Sequence, residues 1–278
     1  MGLCAALTYP DAPGPKLDAI SDFLAWLLFF DDLFFRRFDP AADVAEAKHI
    51  VGRLPAFMPL DAGDARLEPA NLVERSLLDV WSRIAAPMSP AWRRRFARDI
   101  QDMNESFLWE LGNATEDIVP DLIEYLEMRR LTGGAFWAVD LLEYALGIEL
   151  PSAIYCAHPI RLLHNICGDA MLLFNDILSY EKELEVGEKN NSVLVVQEFL
   201  GCDLQRAVGV VNDLVTARLK AAEKTMLTEV TPLLDEHALA PRQRDDVLRY
   251  VQGLMDGVAG CFEWQMRSGR YRRAPSAT

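Results

Sequence analysis

Apolar residues recur every three to four positions along most of the chain, and strict apolar/polar alternation bounded by turn residues is scarce, which predicts an all-α protein. The periodicity predicts helices over 15–38, with Pro40 as the stop, and over 46–54, 68–85, 90–112 and 117–131. Gly133-Gly134 breaks the pattern, and it resumes over 137–146 with Gly147 just past the end. A long Leu- and Met-rich helix is expected at 158–186, a polar loop at 187–191, and further helices at 192–201, 203–227 and 242–267. No internal repeat, low-complexity linker or long Pro/Gly/Ser tract interrupts residues 17–270, so residues 1–271 read as one domain and 272–278 as a disordered tail.

Composition narrows the class. The 278 residues are 51% hydrophobic, enough for a large core. The longest apolar stretch, residues 23–30, stops at Asp31-Asp32 and falls well short of the roughly 18 needed to suggest a membrane span. The first residues carry no basic region ahead of an apolar run, so a secretory signal is not expected and the location expected is cytoplasmic. Five scattered cysteines without a C-x-x-C pair suit a reducing compartment and read as packing residues rather than zinc ligands. Lys and Arg number 28 against 42 Asp and Glu, a net charge of −14 that repels a polyanion and makes nucleic acid an unfavourable partner. A small anion is still admissible where metal ions and a few placed basic residues invert the local potential.

Three clusters bear on chemistry. Asn175, Ser179 and Glu183 recur at i, i+4 and i+8; at about 100° per residue they drift by only about 40° per step and line one helical stripe. A carboxamide, a hydroxyl and a carboxylate so arranged form a hard-oxygen donor set suited to Mg²⁺, though a merely polar helix face has the same pattern. Asn212 and Thr216 begin a similar stripe, but Lys220 stands where its third oxygen would be. Next, Asp31 and Asp32 follow directly on Phe29-Phe30, and burying such a pair is costly unless it is paired or metal-bound. Alternatively, the pair marks where the helix surfaces. The basic residues form the third cluster: Arg129-Arg130 before the Gly133-Gly134 break, Lys182 inside the Asn/Ser/Glu stretch, and Arg270-Tyr271 near the C-terminus. Guanidinium forks match phosphate oxygens, and lysine supplies a point charge.

Taken together, residues 3–271 resemble the bacterial class I terpene synthases, through the Asn-Asp-x-x-Ser-x-x-x-Glu motif at 175–183 and the Gly-x-x-Asn-Asn loop at 187–191. The resemblance implies a single-domain α-helical bundle with a central active-site cavity. It implies Mg²⁺, three ions in all, one held by Asn175, Ser179 and Glu183 and two by the aspartate pair, Asp31 with Asp32. Arg129, 46 residues before Asn175, falls at the family's diphosphate sensor, and Thr132 and Gly133 fall at its linker and effector positions. Lys182 is expected to touch the diphosphate, and Arg270 and Tyr271 to clamp it. The substrate implied is a linear prenyl diphosphate, farnesyl diphosphate first and geranylgeranyl diphosphate as the close variant, ionised electrostatically and cyclised. Phe29, Phe30, Phe136, Trp137 and Trp264, near these positions, are expected to wall the pocket and stabilise the carbocation. A homodimer is possible in this family.

Two departures accompany the resemblance. The further acid normally found three or four positions after the second aspartate is replaced by Phe35 and Arg36, with Asp39 a poor substitute beside Pro40; and the N-terminal helices are shortened. Two other functions stay open at this stage. One is a prenyltransferase on the same fold, which would carry a second aspartate-rich motif where residues 175–183 stand. The other is a non-catalytic helical protein that binds a prenyl diphosphate or a partner.

Overall fold

The computed structural model describes residues 1–37, 44–61, 67–185 and 187–271. The expectations for Pro40, Asp39, Val186 and the tail at 272–278, and for the side chains of Phe35 and Arg36, lie outside the described residues. Among those described, every regular element is helical: α1 (Gly2–Thr8), α2 (Gly14–Arg37), α3 (Val44–Arg53), α4 (Leu72–Ala85), α5 (Pro90–Glu116), α6 (Leu122–Thr132), α7 (Ala135–Leu146), α8 (Ser152–Tyr155), α9 (His158–Glu185), α10 (Ser192–Leu200), α11 (Leu204–Thr225), α12 (Thr231–Glu236) and α13 (Pro241–Arg267). Single 3-10 turns sit at Leu54–Phe57 and Gly269–Tyr271, and a π-helical turn at Met226–Val230. No described helix is long and apolar enough to cross a membrane.

Local chemistry explains the element ends. Asn71 accepts from the Glu74 amide at 3.0 Å and starts α4; Ser89 does the same for α5, with Pro90 at its first position. The helix expected from residue 117 begins instead at Leu122. Asp117 adopts a left-handed conformation (φ 54°) that closes α5, and it is Asp121 that caps α6 by accepting from the amides of Ile123 and Glu124. Helix α11 carries on through the π turn into α12 despite Pro232, because the proline falls in the first turn of α12, where a missing N–H is tolerated.

An aromatic seam sets the register of the helices that carry the site. Phe23, Trp26, Phe30 and Phe34 follow one face of α2. Trp26 stacks on Phe30 at 5.6 Å, Phe23 meets Phe96 of α5 and Trp137 of α7, and Phe30 and Phe34 both pack on Phe107 of α5. With this face buried, the next residues round the helix, Asp31 and Asp32, emerge at the edge of the bundle. At the other end of α5, Arg95 bridges Asp140 (2.6 Å) and Glu143 of α7, and Tyr155 of α8 donates to Asp140 at 2.8 Å. This buried polar knot neutralises carboxylates that would otherwise be prohibitive inside the bundle.

Candidate active site

The break between α6 and α7 turns on Gly134, with Gly133 packed closely beside it. Gly134 sits at φ +70°, and a Cβ there would lie 1.7 Å from Trp137 Nε1; a Cβ on Gly133 would lie 2.2 Å from Leu172 Cδ2 of α9. Helix α6 therefore ends with Gly133 close against Leu172 of α9, and Arg129, one turn earlier, is carried to Asn175 and Asp176.

Arg129 is the centre of a buried network. Its Nε donates to Asp176 Oδ1 at 3.0 Å, its Nη2 lies 2.8 Å from the same oxygen and donates to Asn175 Oδ1 at 3.1 Å, and its Nη1 reaches Thr132 Oγ1 at 3.5 Å. Burial opposes the charge and is the largest single influence, but Asp176 together with Tyr125, Glu183 and Glu110 outweighs it and holds the guanidinium pKa well above its usual value. Asp176 is fully buried and also accepts from the Tyr125 hydroxyl at 2.5 Å and the Ser192 amide at 3.1 Å. Asn191 of the polar loop donates to the Asp176 carbonyl (2.9 Å) and to Glu183 Oε2 (2.8 Å), tying the loop to the acidic end of the stripe.

The stripe is assembled as its spacing predicts. Ser179 Oγ donates to the Asn175 carbonyl at 2.9 Å, which leaves its lone pairs for another partner. Asn175 Nδ2 donates to the Tyr271 hydroxyl at 2.7 Å. Burial, reinforced by Asp176, pushes the Glu183 carboxyl up to about 7. Across the opening, Arg270 grips both aspartates: Nη1 and Nη2 each meet an Asp32 oxygen at 3.1 Å, and Nη2 lies 3.5 Å from Asp31. Although 33% of the Asp31 side chain meets solvent, loss of hydration pushes its carboxyl up to about 6 against the pull of Arg270. Lys182 is exposed and acts on Asp31 through space. Asp31, Asp32, Arg129, Thr132, Gly133, Asn175, Ser179, Lys182, Glu183, Arg270 and Tyr271 thus gather where α2, the α6–α7 break, α9 and the C-terminal turn converge.

The aromatic expectations divide. Trp264 is half-buried with its ring edge-on to Tyr271 at 6.2 Å, so it adjoins this cluster. Trp137 is buried and donates to Met103 Sδ at 3.0 Å, Phe30 is part of the seam, and Phe136 is half-buried. Phe29 is corrected: it is 54% exposed, because one residue of helical phase turns it away from the face that buries Phe30. Arg130 also points elsewhere, forming a fork with Asp169 at 2.6 and 2.9 Å.

Three participants escape sequence reasoning. Asp176 and Asn191 lie within the quoted motif and loop but were given no role. Tyr125 lies one turn before Arg129, a spacing that could have pointed to it. As for a metal, no group of three or more His, Cys, Asp or Glu forms a ready cage among the described residues. The donor chemistry nevertheless fits a hard cation: carboxamide, hydroxyl and carboxylate oxygens on α9 face two carboxylates on α2.

Comparison with known proteins adds the following. Residues 22–221 match the family model described as "Terpene synthase family 2, C-terminal metal binding". The chain is 33% identical over 270 residues to a pristinol synthase from Streptomyces pristinaespiralis, a match covering 96% of this chain and 71% of that protein. It is 32% identical over 271 residues to a (-)-beta-caryophyllene synthase from Saccharothrix espanaensis, named as cyclising (2E,6E)-farnesyl diphosphate, covering 95% of this chain and 73% of that protein. Its fold is that of a-eudesmol synthase, with a TM-score of 0.85 at 24% identity over 96% of this chain and 84% of that one.

Proposed function

The chain belongs to the terpene synthase family, as a class I lyase of all-α fold that cyclises a prenyl diphosphate, and from that premise we propose that it converts farnesyl diphosphate to a cyclic sesquiterpene in a Mg²⁺-dependent reaction. The observation that carries the proposal is that two oxygen donor sets meet at the adjacent residues Arg270 and Tyr271: Asp32 accepts from Arg270 at 3.1 Å, and Asn175, which accepts from Arg129 at 3.1 Å, donates to the Tyr271 hydroxyl at 2.7 Å. Farnesyl chain length is supported by the caryophyllene synthase relative, whose name specifies that substrate.

Asn175, Ser179 and Glu183 would hold one Mg²⁺, and Asp31 with Asp32 two more. Bound there, the ions would supply positive charge and Lewis acidity to the diphosphate leaving group. The chain's own residues do the rest. Arg129, fixed by Asp176, presents a preorganised positive charge that need not reorganise as negative charge develops on the leaving group. Arg270 and Tyr271 bind the diphosphate from the opposite rim, and Lys182 reaches it from α9. Thr132 and Gly133 bring the α6–α7 break beside the reacting carbon, while the half-buried Trp264 and Phe136 offer aromatic surface that excludes water and stabilises a cation through its π face. The free cysteines suit the same cytoplasmic setting.

The test is incubation of the purified protein and Mg²⁺ with geranyl, farnesyl and geranylgeranyl diphosphates, each with and without isopentenyl diphosphate, read by gas chromatography and mass spectrometry. Cyclic C15 hydrocarbons or alcohols from farnesyl diphosphate alone support the proposal. Longer linear diphosphates formed only with isopentenyl diphosphate, or cyclic products from geranylgeranyl diphosphate alone, would overturn it.

A further inference from the structure

Gln265 of α13 has no part in the account so far, although it adjoins the site. On α9, Met171 lies four residues before Asn175 and continues the Asn175, Ser179 and Glu183 stripe by one turn, about 6 Å, away from its acidic end. The Gln265 carboxamide is anchored on that turn: its Nε2 donates to the Met171 carbonyl at 3.3 Å and to Cys261 Sγ at 3.4 Å. Three residues away along each helix, Phe262 of α13 packs on Phe174 of α9 with ring centres 4.4 Å apart, which fixes the register of the pair. Trp264, the neighbour of Gln265, turns its ring edge-on to Tyr271, whose hydroxyl accepts from Asn175. Gln265 therefore sits one turn below the diphosphate-binding rim, at the level where a prenyl chain held by its diphosphate begins.

The other end of the amide has no partner. Gln265 is 5% exposed, and among the described residues no donor meets its Oε1. Turning the amide over does not repair this, because the oxygen would then confront the Met171 carbonyl. A buried acceptor without a donor is unfavourable and calls for a reason. What suits such an oxygen is a positive charge that carries no N–H or O–H. A carbocation is such a species: it offers no conventional hydrogen bond, and where water is excluded the negative end of a fixed dipole attracts it strongly.

We infer that Gln265 is a specificity-determining residue: anchored through Nε2 on Met171, it presents its carbonyl dipole to the carbocation left by the departing diphosphate and so biases where along the chain the positive charge settles. The inference rests on the reading of the chain as a cyclase of a prenyl diphosphate. Without substrate the oxygen is closed to solvent, and the half-buried, unbranched Met171 side chain is adaptable enough to make way for a prenyl chain.

The experiment uses Gln265→Leu and Gln265→Met, which remove the dipole at similar volume. With pyrophosphate and Mg²⁺ present, tryptophan fluorescence measures binding of benzyltriethylammonium, a cation without N–H, and of its uncharged isostere benzyltriethylsilane. Products from farnesyl diphosphate are profiled by gas chromatography and mass spectrometry, and melting is followed by circular dichroism. Both variants are expected to weaken the ammonium ion about 10-fold and the silane by less than about 2-fold. The share of acyclic products, which leave the reaction before ring closure, is expected to rise about 3-fold. Melting should not fall, because the unpartnered acceptor is gone. Should Gln265→Leu fail to fold, Gln265→Met, which keeps the length of the side chain, decides. Unchanged ammonium binding overturns the inference whatever the products do, and a change confined to loss of a hydroxylated product would then mark Oε1 as the site of a water. Ammonium and silane weakened alike, with a lower melting temperature, would mark Gln265 as a mere tether between α13 and α9 and also overturn it, as would unchanged product shares. A wild type that binds the ammonium ion through Gln265 but turns over no prenyl diphosphate would refute the proposed function alone.

Discussion

Replacing Asp176 tests whether the diphosphate-binding arginine is held by a buried ion pair. Asp176 receives four hydrogen-bonding or charged contacts on its carboxylate: Arg129 Nε and Nη2 on Oδ1, and the Tyr125 hydroxyl and the Ser192 amide on Oδ2. In Asp176→Asn, whichever way the amide is turned, its NH₂ confronts donors on one of those two sides, and the Arg129 charge loses its counterion inside the protein. Breaking one partner of such a pair costs about 3–5 kcal/mol, a large share of a typical domain's stability. Urea unfolding followed by circular dichroism should show that loss as a lower midpoint at unchanged slope. A control removes an exposed pair: Arg267 and Glu263 meet at 3.2 Å with side chains 56% and 48% exposed, so Glu263→Gln should cost less than about 1 kcal/mol. If Asp176→Asn also costs less than about 1 kcal/mol, the pair does not hold Arg129, and the claim of preorganisation fails.

Other consequences follow from the same geometry. The ligand-free protein should lose stability as pH rises: Glu183 and Asp31 titrate near about 7 and about 6 when folded, against ordinary values of 4.5 and 3.8. The folded chain therefore binds more protons than the unfolded one between roughly pH 4 and pH 7, and the melting temperature should fall across that window. Asp99 and Glu143, raised by burial to about 9 and about 8, extend the slope with the same sign, so Glu183→Gln should remove only part of it; an unchanged slope in that variant would contradict the assignment. Gly134→Ala should lose about 2–4 kcal/mol in the same unfolding assay, from its left-handed φ and the clash with Trp137, and an unaffected variant would refute the strained break. Phe29→Ser should change stability by less than about 0.5 kcal/mol and leave the product profile intact, whereas Phe30→Ala should cost about 3–5 kcal/mol; similar losses in both would contradict the phase of α2.

What could be read from the chain was what repeats along it. The 3.6-residue period predicts nearly every long helix, and the i, i+4, i+8 spacing of Asn175, Ser179 and Glu183 predicts a stripe that the structure contains. Features set by a single residue of phase or by the far side of the fold were less legible. Asp117 and Asp121 are both plausible helix caps, and only the left-handed backbone at Asp117 decides between them. Arg129 and Arg130 are neighbours in sequence but point about 100° apart, so one finds Asp176 and the other Asp169. Phe29 is lost to the pocket for the same reason.

The central claim is that the α9 stripe, together with the Arg129 and Arg270 rim, ionises a prenyl diphosphate. The most direct test compares product formation from farnesyl diphosphate and Mg²⁺ by wild type, Asn175→Ala and Glu183→Ala, after circular dichroism shows that all three are folded. Cyclic C15 products from wild type and none from either variant is the predicted result. Near-wild-type turnover in both variants would contradict it.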